Sequence, residues 1–102
     1  MTKNKRMLPN DRRAEILVAA LNVAERTGFN QLTREQVAIK AGCAESLVSV
    51  YFGTMIKLKR DIMRVAVRQR NLTVIAQGLA VGDKHAKKAD KSLQSESLQS
   101  LI

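Results

Sequence analysis

Glu45, Ser46, Leu47, Ser49 and Val50 sit in one short stretch in which Val48 points inward and Tyr51 and Phe52 close the segment at helical spacing. The five residues not claimed by a core offer a carboxylate, two hydroxyls and two aliphatic tips. Such a set can read nucleic-acid bases. Glu45 can accept from a cytosine amino group, Ser46 and Ser49 can bond to bases or phosphates, and Leu47 can meet a thymine methyl. Glu45 has a second reading, as an acid favoured by the dipole at a helix start. Tyr51 divides between core packing and phosphate contact.

The charge lies elsewhere. Eighteen Lys plus Arg against nine Asp plus Glu leave a net charge of +9, which suits a polyanionic partner. The excess flanks the short helix on both sides. Residues 1–13 hold Lys3, Lys5, Arg6, Arg12 and Arg13 against Asp11, and residues 57–70 hold Lys57, Lys59 and four arginines against Asp61. This division fits cations that fix register on phosphates while the helix between them reads bases. If about five to seven cations engage phosphate, affinity falls steeply with salt, with a log–log slope near −4 to −6.

Other chemistry has little material. His85 is the only histidine and has no partner pattern; no paired carboxylates, Gly-rich phosphate loop or Ser-His-Asp set occurs. No enzymatic activity, cofactor or metal is expected. One cysteine, Cys43, excludes an internal disulfide and reads as a small buried hydrophobe. Three aromatics, Phe29, Tyr51 and Phe52, are too few for base-stacking platforms. The N-terminus lacks the apolar core of a signal peptide, and no run nears the roughly 18 apolar residues of a membrane span. A cytoplasmic, nucleoid-associated protein is expected, with no membrane partner and no small-molecule ligand.

The elements that must position the reading residues are all α-helical. Residues 1–10 read as a flexible basic arm, with contact to phosphates or a minor groove as its functional alternative. Ile16, Leu17, Ala20, Leu21 and Ala24 predict a first helix over about 11–27, with Asn10 as its N-cap and Gly28 as its stop. Phe29 and Leu32 return to the core. Thr33-Arg34-Glu35-Gln36 is a capping box that opens a second helix ending near Ala41, and Gly42 supplies the turn. Arg34 reads as a phosphate contact or a solvated charge. The third helix, about Ala44 to Tyr51, lacks a capping hydroxyl, at a cost of about 1 kcal/mol.

A long fourth helix is predicted over roughly 56–80, with Leu58, Ile62, Val65, Ala66, Leu72, Ile75, Ala76 and Leu79 on one apolar face. At about 1.5 Å per residue it would span about 35 Å. Its second half carries surplus apolar surface, so Leu72, Ile75, Ala76 and Leu79 are the expected homodimer contact. Residues 81–102 read as a charged linker and a disordered low-complexity tail; the alternative is a dimer-stabilising helix. Lys84, Lys87, Lys88 and Lys91 read as a solvated run, with nonspecific DNA contact as the second reading.

This arrangement resembles the N-terminal domain of the TetR (tetracycline-repressor-type) transcription regulators. Ile16-Leu17-Val18-Ala19-Ala20 resembles that family's first-helix pattern and Glu25-Arg26-Thr27-Gly28-Phe29 its turn. Thr33, Val37-Ala38, Ala41-Gly42, Tyr51-Phe52 and Leu58 fall at the family spacing, over residues 11 to about 70. The resemblance implies a three-helix, homeodomain-like helix-turn-helix head and sequence-specific binding of double-stranded DNA. Together with the outward residues and flanking cations read above, the expected DNA contacts are Thr33, Arg34, Glu45, Ser46, Leu47, Ser49, Val50, Tyr51, Lys57 and Lys59, joined by Lys5, Arg6, Arg12 and Arg13 from the arm and first helix. The departures are Ala44 where the family commonly has Ser, Ser46 for Gly, Ser49 for Tyr, and Met55 for a phosphate-contacting Lys. The family's ligand-sensing second domain finds no room in 102 residues. A regulator controlled by its own concentration or by RNA polymerase or another regulator is expected, of the kind a phage or mobile element carries, unless the chain is part of a longer regulator. Two alternatives use the same residues: a nonspecific architectural, replication or partition protein, and an adaptor docking through the fourth helix.

Overall fold

A computed structural model describes residues 9–100, so residues 1–8 of the expected arm, Lys5 and Arg6 among them, lie outside the described residues with the last two residues. Among the described residues the chain is all-α: α1 (Pro9–Thr27), α2 (Arg34–Ala41), α3 (Glu45–Phe52), α4 (Met55–Arg68), α5 (Leu72–Ala80), α6 (Lys84–Lys87) and α7 (Lys91–Gln99). Helix α1 already includes Asn10, the expected cap, because it begins at Pro9. A proline suits a first helical turn, where no backbone N–H is required and φ is preset.

Residues 9–68 form around one core. Ile16, Ala20 and Ala24 of α1, Phe29 and Leu32 of the following loop, Val37 and Ala38 of α2, Val48 and Phe52 of α3, and Leu58 and Ile62 of α4 are all buried. The Thr33 capping box forms: the Thr33 hydroxyl accepts from the Gln36 amide at 3.2 Å, and the Gln36 side chain accepts from the Thr33 amide at 2.9 Å. Gly42 ends α2 at φ +71°, where a side chain would be strained. Ala44 offers α3 no side-chain cap. Cys43 is half-buried against the core.

The single long helix expected over 56–80 is two helices. The Arg70 amide donates to the Val67 carbonyl and the Asn71 amide to the Ala66 carbonyl, with Arg70 at φ +56°. These bonds close α4 in the left-handed manner usually left to glycine. The Asn71 side chain then caps α5 by accepting from the Val74 amide at 3.1 Å. The apolar spacing runs through this corner without a Gly or Pro to mark it, which is why sequence periodicity reads straight across.

The corner changes what the apolar face covers. Folded back, α5 packs against α1, α4, α6 and α7 of its own chain. Ile75 and Ala76 are 0% exposed, and Leu72 and Leu79 are half-buried against the same core. The face expected to contact a second copy is therefore consumed internally, and these four residues offer little to a partner.

Residues 84–99 differ from the expected disordered tail as well, folding into α6 and α7. Asp83 accepts from the His85 and Ala86 amides at 3.0 and 2.9 Å, and Asp90 from the Ser92 amide at 3.0 Å, giving each helix a cap. Ala86, Ala89, Leu93 and Ser97 are buried, with the Ser97 hydroxyl donating to the Leu93 carbonyl at 2.8 Å. Gly78 makes the approach possible: a Cβ there would collide with the Met63 Cε and lie 3.1 Å from the Ala86 Cβ.

Candidate nucleic-acid interface

Helix α3 sorts its residues by what the core demands. Val48 and Phe52 are buried, while Leu47 and Tyr51 are half-buried and packed against the core. Ser46 and Val50 are exposed, Val50 at 75%, and four-residue spacing stacks them on one outward stripe. Glu45 is exposed and Ser49 half-buried on one flank of that stripe. The outward face therefore carries hydroxyls, one carboxylate and methyl groups, and no cation.

Two helix starts frame it. At α2, the exposed Thr33 is the cap and Arg34 the first residue; at α4, the Thr54 hydroxyl accepts from the Lys57 amide at 3.2 Å, and Lys57 is exposed. Helix starts carry partial positive charge and unpaired amides, which favours phosphate. Neither Arg34 nor Lys57 has a carboxylate within ion-pair distance among the described residues.

Other expected phosphate contacts are engaged inside the chain. Arg13 reaches Asp61 at 3.0 Å and lies 4.6 Å from the centre of the Phe52 ring, so it clamps α1 to α3 and α4. Arg12 pairs with Glu15 at 3.0 Å, and the Lys59 ammonium donates to the Asn30 carbonyl at 3.1 Å. Arg12 and Arg13 are thus paired with carboxylates, whereas Lys59 meets a neutral carbonyl and keeps its charge.

Several residues escaped individual notice in the sequence. Thr54 is a cap whose serine-like signal is visible only once α4 is known to start at Met55. Ile56, 81% exposed, extends the apolar tips beside α3. Arg60, Arg64 and Arg68 recur every four residues along the exposed side of α4 together with Lys57, a spacing that a helical projection of the sequence would have revealed.

Among the described residues no helix is long and apolar enough to cross a membrane, and no group of His, Cys, Asp and Glu is placed to hold a metal ion. No protein-family model, curated protein or solved structure matches the chain.

Proposed function

We propose that this chain is a sequence-specific regulator that binds double-stranded DNA through a helix-turn-helix made by α2, Gly42 and α3. The observation that carries the reading is the outward face of α3: Ser46, Val50 and Glu45 are exposed and Ser49 half-buried beside them, and the capped, anion-favouring starts of α2 and α4 precede and follow α3 in the chain. In this reading Ser46, Ser49 and Glu45 bond to base edges and Val50 meets a thymine methyl, while Thr33, Arg34 and Lys57 hold phosphates. The pattern shared with TetR-type regulators supports the same assignment. The pairing of Arg12 and Arg13 with carboxylates lowers the expected salt dependence to a log–log slope of about −3 to −4.

The test is selection of bound sequences from a random duplex pool, followed by titration of the winner and a scrambled duplex across salt. The expected result is a consensus bound at least about a hundredfold more tightly than scrambled DNA, within the range of specific regulators. Ser46→Ala and Val50→Ala should lower that ratio, whereas Lys57→Gln should weaken both duplexes alike. Equal affinity for every duplex would replace the operator-reading role by an architectural one.

A further inference from the structure

A second cationic feature lies away from α3. The C-terminal half of α4, the short α6 and the two residues after it form the sides of an open cleft of about 440 Å³ lined by Arg64, Val67, Arg68, His85, Lys88 and Ala89. Arg64 and Arg68 are successive members of the α4 stripe and reach it from one wall; His85 and Lys88 reach it from the other. Val67 and Ala89 supply apolar surface.

The carboxylates near this cleft are already occupied. Asp61 holds Arg13, Asp83 accepts two backbone amides of α6, Asp90 caps α7, and Glu96 pairs with Arg70 at 2.7 Å. Arg64, Arg68 and Lys88 have no carboxylate within ion-pair distance among the described residues. Three cations and an imidazole thus line the cleft with none of them in a direct ion pair among the described residues, and Asp61, shared with Arg13, is the carboxylate that adjoins Arg64 and Arg68. The walls are fixed in spacing by the close Gly78–Met63–Ala86 packing beneath them.

We infer that this cleft binds a compact phosphate chain, either free polyphosphate or the phosphates of a nucleoside triphosphate. Two guanidinium groups offer paired donors matched to phosphate oxygens, and an ammonium and an imidazole add donors from the facing wall. A chained phosphate brings several negative charges into one concavity of this volume. A duplex strand offers its phosphates singly, one per about 3.4 Å of helix axis, along a convex ridge. Val67 and the buried Ala89 add only a little apolar surface, so the phosphates are the part that is recognised. This assignment does not depend on what α3 reads, and it departs from the absence of a small ligand expected from composition.

The experiment is calorimetric titration of the full chain with inorganic tripolyphosphate, with ATP and GTP as parallel arms, at about 0.15 M ionic strength to screen diffuse attraction. Saturable one-to-one binding is expected, weakened at least tenfold in the Arg64→Gln/Arg68→Gln variant and several-fold in Lys88→Gln. Arg34→Gln/Lys57→Gln, at the α2 and α4 starts, should bind as the parent does. Circular dichroism of each variant checks that these exposed substitutions leave the helices intact. Tighter binding of a nucleotide than of tripolyphosphate would support a nucleotide source, and equal binding a free phosphate chain. No saturable binding of any of the three would overturn the assignment, as would equal losses in the two double variants. Loss of duplex affinity in Arg64→Gln/Arg68→Gln without phosphate-chain binding would overturn it too, and give the stripe to DNA.

Discussion

The α2–α3 pair and the α5–α7 group solve the same packing problem with different residues. In the first, large side chains at regular spacing do the work: Val37, Val48 and Phe52 meet Leu32, Leu58 and the α1 stripe. In the second, α5 buries Val74 and Ile75, but α6 and α7 add mainly small residues. Ala86, Ala89 and Ser97 are buried there, Gly78 of α5 lies close to Ala86, and Leu93 is the one large buried side chain from α6 and α7 among the described residues. The lesson is that stability in the first region comes from apolar volume, and in the second from fit and caps.

Removing apolar volume from the first region should have the largest effect on stability. Phe52→Ala deletes a buried ring and the surface beneath Arg13, and should cost about 3–5 kcal/mol in urea unfolding. Gly78→Ala adds a single methyl to the second region, against Met63 and Ala86. A loss of about 1–3 kcal/mol is expected, with faster amide exchange over residues 84–99 than over α2 and α3. If Phe52→Ala proved milder than Gly78→Ala, the contrast between volume and fit would be wrong.

Capping sharpens it further. Ala44→Ser should give α3 the hydroxyl it lacks and raise stability by about 1 kcal/mol, read from the unfolding midpoint. The smallest effect concerns α7. The Ser92 side chain, and then the Leu93 and Ser92 amides, bond to the Asp90 carboxylate and hold its pKa below the ordinary value. A carboxylate with a lowered folded pKa stabilises fully above its unfolded pKa, and that contribution fades as pH falls through the folded value. Helicity of the parent should therefore decline below the ordinary aspartate range, while Asp90→Asn should show a flatter acid limb in circular dichroism.

The same contrast explains what the sequence disclosed. The capping box at Thr33, the turn at Gly42 and the inward Val37, Val48 and Phe52 are signals of residue type at fixed spacing, and each takes the expected place. The corner at Arg70 carries no such signal, because an arginine occupies the left-handed position and apolar periodicity continues on both sides. The tail reads as solvated for a related reason: Ala86, Ala89 and Ser97 look like spacers in the sequence, and Ala86 is buried only because Gly78 leaves room for it. In the candidate interface, the outward set on α3 was legible from spacing alone. The internal pairing of Arg13 with Asp61, 48 positions away, was not, since sequence order says nothing of which charges meet.

The Arg13 clamp carries a consequence for the joint it spans. One guanidinium touches a carboxylate of α4 and the ring that closes α3, so it works as a gusset at the joint between three helices. Removing that side chain would leave the Asp61 carboxylate of α4 and the Phe52 ring of α3 without the group they share, so the joint would rest on apolar packing alone.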